Sequence, residues 1–323
     1  MSEKEILEEI KEGISNSLNN IEKEYKYIKI KKSIKSIEEL FEEKISIKNG
    51  YKLTDLFQAI QGVTCGGEGS SDIFSNIDQN LLQEKDLIFK TLGGRNINKN
   101  KITWSNEFIL FPYVVKEDKF LPAFYDEQTN KDILDYDINI YSEEIGKDIT
   151  HKLNIRIAKG EIKYPLVAEY LTKYHDTLYY REFEGKNISE YNKSWYEYHR
   201  PRTPSLLTTP KIVLRRLMQK PSFAIDTIGY LPKDSVISLL PNKLLETIKD
   251  DLEKEIKKEI TLENCLNYVL SFLNSDLFIK LLDEKQAKKQ GDYPIVSEGM
   301  LKKVVIPFPN SLSQKEILEK IRS

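Results

Sequence analysis

Apolar residues recur at steps of three and four along the first forty positions. Ile6, Ile10, Ile14, Leu18 and Ile21 form the series with charges between them, which predicts helix over 3–44. Such a stripe needs a covering surface, supplied by its own domain or, if it is a docking or coiled-coil arm, by another subunit. Asn49-Gly50 is a turn signal that closes this region. From Tyr51 the pattern shortens to β-rich pieces between turns. Strands are predicted at 87–91, 107–114, 153–158, 211–215, 223–228 and 235–240. A helix over 165–183 carries Leu166, Tyr170, Tyr174 and Leu178 on one face. A charged helix follows Pro241-Asn242 over about 243–259. Another, over 262–286, is apolar at Leu262, Leu266, Val269, Leu270 and Leu273. The end reads as a strand, a proline turn and a short helix starting at Ser311 or Ser313. No internal repeat is visible. The pattern predicts an α/β (α+β) fold: a twisted, mostly antiparallel sheet domain over 49–310 with flanking helices. An N-terminal helical arm over 1–48 and a short C-terminal helix over 311–323 complete it.

Composition narrows the class. The chain has 323 residues, 40% hydrophobic and 31% charged, as expected of a globular protein with a sizeable core. The N-terminus, MSEKEILEEIKEG, lacks the apolar run of a secretory signal, and no stretch is long and apolar enough for a membrane span. Cys65 and Cys265 are far apart, and the only histidines are His151, His175 and His199, which argues against a His/Cys metal site. A cytoplasmic protein with free thiols is expected.

Charge changes the picture most. The formal net charge is −2, yet 193–220, KSWYEYHRPRTPSLLTTPKIVLRRLMQK, carries seven cations against the single acid Glu197. The cations are Lys193, Arg200, Arg202, Lys211, Arg215, Arg216 and Lys220; Trp195, Tyr196, Tyr198 and His199 lie among them. Cations attract phosphates, and guanidinium forks and flat rings suit bases. The plainer alternative is a solvated basic face, or pairing with the acidic 51–150 segment. Trp195 fits a buried anchor as well as a stacking platform. Arg200 and Arg202 flank Pro201, which stiffens the loop and favours exposure. Arg215 and Arg216 point to opposite faces of a strand, so at most one can face DNA. Arg95 follows Gly93-Gly94 in a loop that also holds Lys99.

The glycine-dense loop Gly62-Val63-Thr64-Cys65-Gly66-Gly67-Glu68-Gly69-Ser70 permits close backbone approach and positive φ. It is neither a P-loop nor a dinucleotide fingerprint. No Asn/Asp-Pro-Pro-aromatic tetrapeptide of an amino-methyltransferase is present. One nuclease-like set exists: Asp148, Glu161 and Lys163, which on adjacent strands would hold Mg²⁺ and activate water. Its flank, LNIRIAKGEIKY, equally reads as a plain hairpin.

The order of segments resembles a known family. Lys52-Leu53 through Phe74, then DLIFKTLGGRNINK, FILFPY, YPLVAEYLTKYHDTLYYR, WYEYHRPR, TPKIVLRR, FAID, LNYVLSFLNSDL and LKKVVIPFPN are similar to the TaqI-type C-terminal specificity domain. This is the DNA target-recognition domain of adenine methyltransferases and fused restriction–modification enzymes, akin to the recognition domains of type I specificity subunits. The resemblance covers about residues 51–310. It implies that Asn274 and Ser275 are architectural and that the GVTCGGEGSSDIF loop, with Thr64, Gly66, Gly67 and Ser70, matches a glycine-rich family segment. Cys65 departs from the glycine expected there. The upstream methyltransferase domain of the family has no counterpart, which fits a separate specificity subunit or a fragment of a larger enzyme.

Sequence-specific recognition of double-stranded DNA for a restriction–modification or phage-defence system is therefore expected. Arg95, Lys99, Lys193, Trp195, Tyr196, His199, Arg200, Arg202, Arg215, Arg216 and Lys220 are the expected contacts. Catalysis, with S-adenosylmethionine and Mg²⁺, is expected only on a partner methyltransferase or restriction subunit, and the chain itself is expected to bind no cofactor. The N-terminal helices could also join two copies. The alternatives are a Mg²⁺-dependent nuclease and a non-catalytic assembly protein.

Overall fold

The computed structural model describes residues 50–126, 131–134, 143–218, 220–256, 259–274, 289–290 and 293–307. The N-terminal arm, the C-terminal helix over 311–323 and the second half of the predicted 262–286 helix lie outside the described residues. The fold is mixed α and β with mostly antiparallel pairing.

A four-stranded antiparallel sheet organises it, in the order Phe223–Asp226, Lys211–Arg215, Val236–Pro241, Phe57–Gln61. Alternate residues face opposite sides. Ile212, Leu214, Ile237 and Leu239 pack against the helices Lys243–Ile256 and Leu262–Leu273, through Leu245, Leu252, Leu266 and Val269. Val213, Ala224 and Val236 face the other way, onto Leu92, Ile97 and Tyr230. A second, three-stranded sheet sets Leu231–Pro232 parallel to Ile88–Leu92, which pairs antiparallel with Phe108–Leu110. Gly50–Lys52 pairs with Val305–Pro307, so the two ends of the described chain lie side by side.

Three predicted elements differ from the fold. The predicted strand over 153–158 is the end of a helix, Glu143–Ala158. Leu153 is buried while Ile155 is 41% exposed, which a strand with both on one face could not give. Gly160, at φ +71, ends the helix in the left-handed region, with its N–H donated to Ile157 O. The expected strand over 107–114 is divided into Phe108–Leu110 and Tyr113–Lys116 at Pro112, which has no N–H to give a ladder. The 165–183 helix breaks at Tyr174 into Pro165–Lys173 and His175–Tyr179.

Lys211 and Asp226, both fully buried, form an ion pair of 2.6 Å at one end of the sheet. Burial pulls the Lys211 ammonium below its ordinary pKa, and Asp226 works against that shift. Asp226 also accepts the N–H groups of Ile228, Gly229 and Tyr230 at 2.9, 3.0 and 3.1 Å. That carboxylate both neutralises the cation and sets the turn after its strand. Asn274 clamps the opposite end of the edge strand, accepting from Phe223 N and donating to Phe223 O. Asp226→Ala strands a buried cation and three N–H groups, and should cost about 3–5 kcal/mol in urea unfolding. Adding Lys211→Met should recover part of the loss; no recovery would show that the turn, not the ion pair, carries it.

Candidate nucleic-acid interface

At the end of the four-stranded sheet away from Lys211–Asp226, register places Gln61, Val236, Arg215 and Phe223 side by side. The segments leaving this end are the glycine loop after Gln61, the turn at 233–235, and the 216–222 connection. The 233–235 turn is bracketed from both sides. Gly62 N donates to Val236 O and Val63 N to Pro232 O, while Lys233 N donates to Leu92 O and Gly94 N to Ser235 Oγ. Gly62 is obligatory here, because a Cβ would lie 2.1 Å from Lys233 O.

The arginines of the HRPR stretch attach to this platform through the backbone. Thr64 and Arg200 exchange N–H···O bonds of 3.1 and 3.0 Å, and His199 N donates to Cys65 O. Arg200 stays partly exposed, paired to Glu184 at 3.0 Å and lying over the Phe183 ring. Arg202 takes φ +73, a left-handed conformation rare for a long side chain, which costs about 1–2 kcal/mol. Its Nε donates to Gly62 O at 3.1 Å and its Nη2 is buried without a partner. Burial, and then the charge of Arg200, push its pKa below the usual guanidinium range. An anion beside the guanidinium would offset only the cost of burying that charge, not the backbone strain.

The second cationic loop is fixed by Arg215. Its Nε donates to Gly94 O at 2.9 Å and its Nη2 to Ile97 O at 3.0 Å. Asn100 N donates to Phe223 O, so the Ile97–Asn98 and Lys101–Ile102 hairpin lies against the same sheet end. Lys99 is exposed at its tip, and Arg95 is exposed on the Gly94–Asn96 turn that leads into it. Arg216 is half-buried, with its N–H given to Ser235 O, and Lys220 is exposed in the 216–222 connection. Arg95, Lys99, Arg200, Arg202, Arg216 and Lys220 thus belong to segments gathered at one end of the sheet. Lys233, on the turn between the two loops, joins them and pairs with Glu107 at 2.9 Å. The sequence reading missed Lys233, and its place next to two glycine loops is visible only in the fold.

Several expected contacts are core residues instead. Trp195 is 2% exposed and donates Nε1–H to Leu134 O at 2.8 Å. Tyr196 is fully buried with its hydroxyl on Asp132. Neither is a base-stacking platform; with Phe74, Phe111, Tyr113, Phe124 and Tyr198 they fill a lobe whose rings meet at 4.5–6.2 Å. His199 is buried against Phe183 and Tyr191. Lys193 is mostly covered and 3.8 Å from Glu197. Arg215 is a staple rather than a free contact. Gly66 and Ser70 are buried while Thr64 and Gly67 are half-buried. Burial raises the Cys65 thiol pKa to about 11, which removes it as a nucleophile at neutral pH.

Asp148 lies on the Glu143–Ala158 helix and Glu161 beyond its end, so the expected adjacent strands do not exist. Glu161 is 3.9 Å from Lys159, and Lys163 is 3.7 Å from Asp86. Among the described residues no group of three or more His, Cys, Asp or Glu is placed to hold a metal ion. Among them also, no helix is long and apolar enough to cross a membrane.

No protein-family model matches the chain, and no curated protein matches it. Among solved structures it is similar to the type IIG restriction endonuclease BpuSI, with 14% identity and a TM-score of 0.38. The match covers 88% of this chain and 28% of that one, a distant likeness to part of a restriction–modification enzyme.

The His199 imidazole is held below its ordinary pKa, first by burial and then by Arg200. A lowered folded value means that the unfolded chain takes up the proton first. The contribution of His199 to stability should be complete above about pH 6.5 and decline as pH falls toward the folded pKa. Unfolding free energies of the parent and His199→Gln across this range should converge toward acid; parallel curves would contradict the assignment.

Proposed function

We infer that the chain recognises specific sequences in double-stranded DNA as the specificity component of a restriction–modification or phage-defence system. The observation that carries this is the gathering of Arg95, Lys99, Arg200, Arg202, Arg216 and Lys220 at one sheet end. They come from three separate chain segments of a protein with net charge −2. A basic edge on a near-neutral protein favours one oriented contact with a polyanion over general stickiness. In this reading Arg200 and Arg202, fixed through the glycine loop, position phosphates. Arg95 and Lys99, on the turn and hairpin stapled by Arg215, reach base edges in the major groove. Methyl transfer or cleavage is assigned to a partner subunit, which would carry S-adenosylmethionine or Mg²⁺.

The test is binding across salt concentrations, with and without the catalytic partner. Arg200→Ala and Arg202→Ala should weaken cognate and random duplexes alike and lower the salt slope by roughly 0.9 per lost contact. Arg95→Ala should cost about 1–3 kcal/mol on the cognate duplex and far less on random DNA. Unchanged binding by all three variants would remove this sheet end from the interface. Mg²⁺-dependent cutting by the purified chain, lost in Asp148→Ala, would favour the nuclease alternative.

A further inference from the structure

We propose that Asn98 reads an adenine, on a β-ribbon that lies in the major groove. This role depends on the DNA reading above and adds a particular base to it. The strands Ile97–Asn98 and Lys101–Ile102 close over a two-residue tip, Lys99-Asn100. Ile97 pairs with Ile102, and Asn98 with Lys101. Cross-strand partners share a face, and successive residues alternate between faces. Ile97 and Ile102 pack into the cluster of Leu92, Val213 and Ala224. Asn98 and Lys101 therefore turn away from the core, and both are exposed, as is Lys99.

The ribbon is fixed before any ligand arrives. Arg215 Nη2 holds Ile97 O, Asn100 N donates to Phe223 O, and Asn274 Nδ2 donates to both Asn100 Oδ1 and Phe223 O. Three asparagines lie in this stretch, and two are used by the fold. Asn96 accepts from Gly93 N and donates to Thr103 O and Ser105 Oγ. Asn100 supplies φ +59 at the tip and is clamped by Asn274. Asn98 does neither: its backbone is not left-handed, and among the described residues its side-chain amide makes no hydrogen bond. Asparagine is also a poor strand former, so the local backbone gives no reason for it. An amide presents a donor beside an acceptor, the pair that matches N7 and the N6 amino group of adenine. The major groove is wide enough to admit a two-stranded ribbon. Residues 95–102, RNINKNKI, hold Arg95, Lys99 and Lys101 and no acid, so cations for the flanking phosphates lie on both sides of Asn98.

The full chain, together with its catalytic partner, is first selected against a library of random duplexes to obtain the cognate site. Each adenine of that site is then replaced in turn by 7-deazaadenine, which keeps the base pair but lacks N7. The parent should bind one of these duplexes about tenfold or more weaker than the unmodified site. Asn98→Ala should bind these two duplexes equally and accept other bases at that position. Lys101→Ala should weaken cognate and random duplexes alike while keeping the full effect of the missing N7. Asn98→Ala removes no side-chain hydrogen bond of the described fold, so it should unfold at the same urea concentration as the parent. If Asn98→Ala keeps the discrimination of the parent at every adenine, Asn98 is not a reader although the chain recognises DNA. If the parent selects no duplex, the DNA reading itself fails and the role of Asn98 with it.

Discussion

The Lys211–Asp226 ion pair is the constraint on which the arrangement rests. A charged pair inside a sheet carries a desolvation cost that Coulomb attraction alone offsets poorly. Here the carboxylate has a second task, because it also accepts three consecutive backbone N–H groups. That turn sends the chain from Asp226 into Leu231–Pro232, the edge strand that pairs with the central strand Ile88–Leu92 of the three-stranded sheet. The chain then reaches 233–235, between the two glycine loops. The ion pair lies at one end of the sheet, and its consequence is felt at the other. It fixes the length and direction of the return path that holds the cationic loops together.

The division of labour within 193–220 follows from side-chain chemistry. Aromatic residues in WYEYHRPR bury large apolar faces and direct their polar tips to internal acceptors, as Trp195 does with Leu134 O and Tyr198 with Leu110 O. Arginines two to four residues later cannot follow them inward without acceptors. Arg200, tied to the glycine loop by its backbone, turns its side chain onto Glu184, and Arg202 ends on the single carbonyl of Gly62. Aromatic residues interleaved with cations therefore mark an anchored basic loop rather than a stacking surface.

Much of the central sheet was legible in the sequence. The strands near 211–215, 223–226 and 236–241 are short apolar runs between turn signals, and their length and β-branched residues favour strand over helix. The 153–158 segment was misread because its β-branched residues fit a strand locally. Its true period appears only with Leu153 and Ile157 on one helical face and Gly160 as terminator. The exposed arginines were legible as charges, but their convergence was not, since it depends on register between segments over a hundred residues apart. Arg181 was missed altogether. A lone arginine after Tyr179-Tyr180 carries no local signal of burial, and only Gly67, packed against its stem, reveals it. Lys211 and Asp226 did carry a signal: one charge opens and the other closes the apolar strands of one hairpin.

Rigidity and cationic charge are usually in conflict, because loops that hold like charges close together tend to separate them. This fold resolves the conflict with backbone contacts, beside the ion pairs Arg200–Glu184 and Lys233–Glu107. Glycines at 62, 66 and 67 let the loop backbone approach Lys233, His199 and Arg181 more closely than any Cβ would permit. Arg200 and Thr64 add paired main-chain bonds. The guanidinium groups of Arg202 and Arg181 are then left with donors that their own chain does not saturate. A protein selected only for stability would replace such groups with apolar ones of similar volume at little cost.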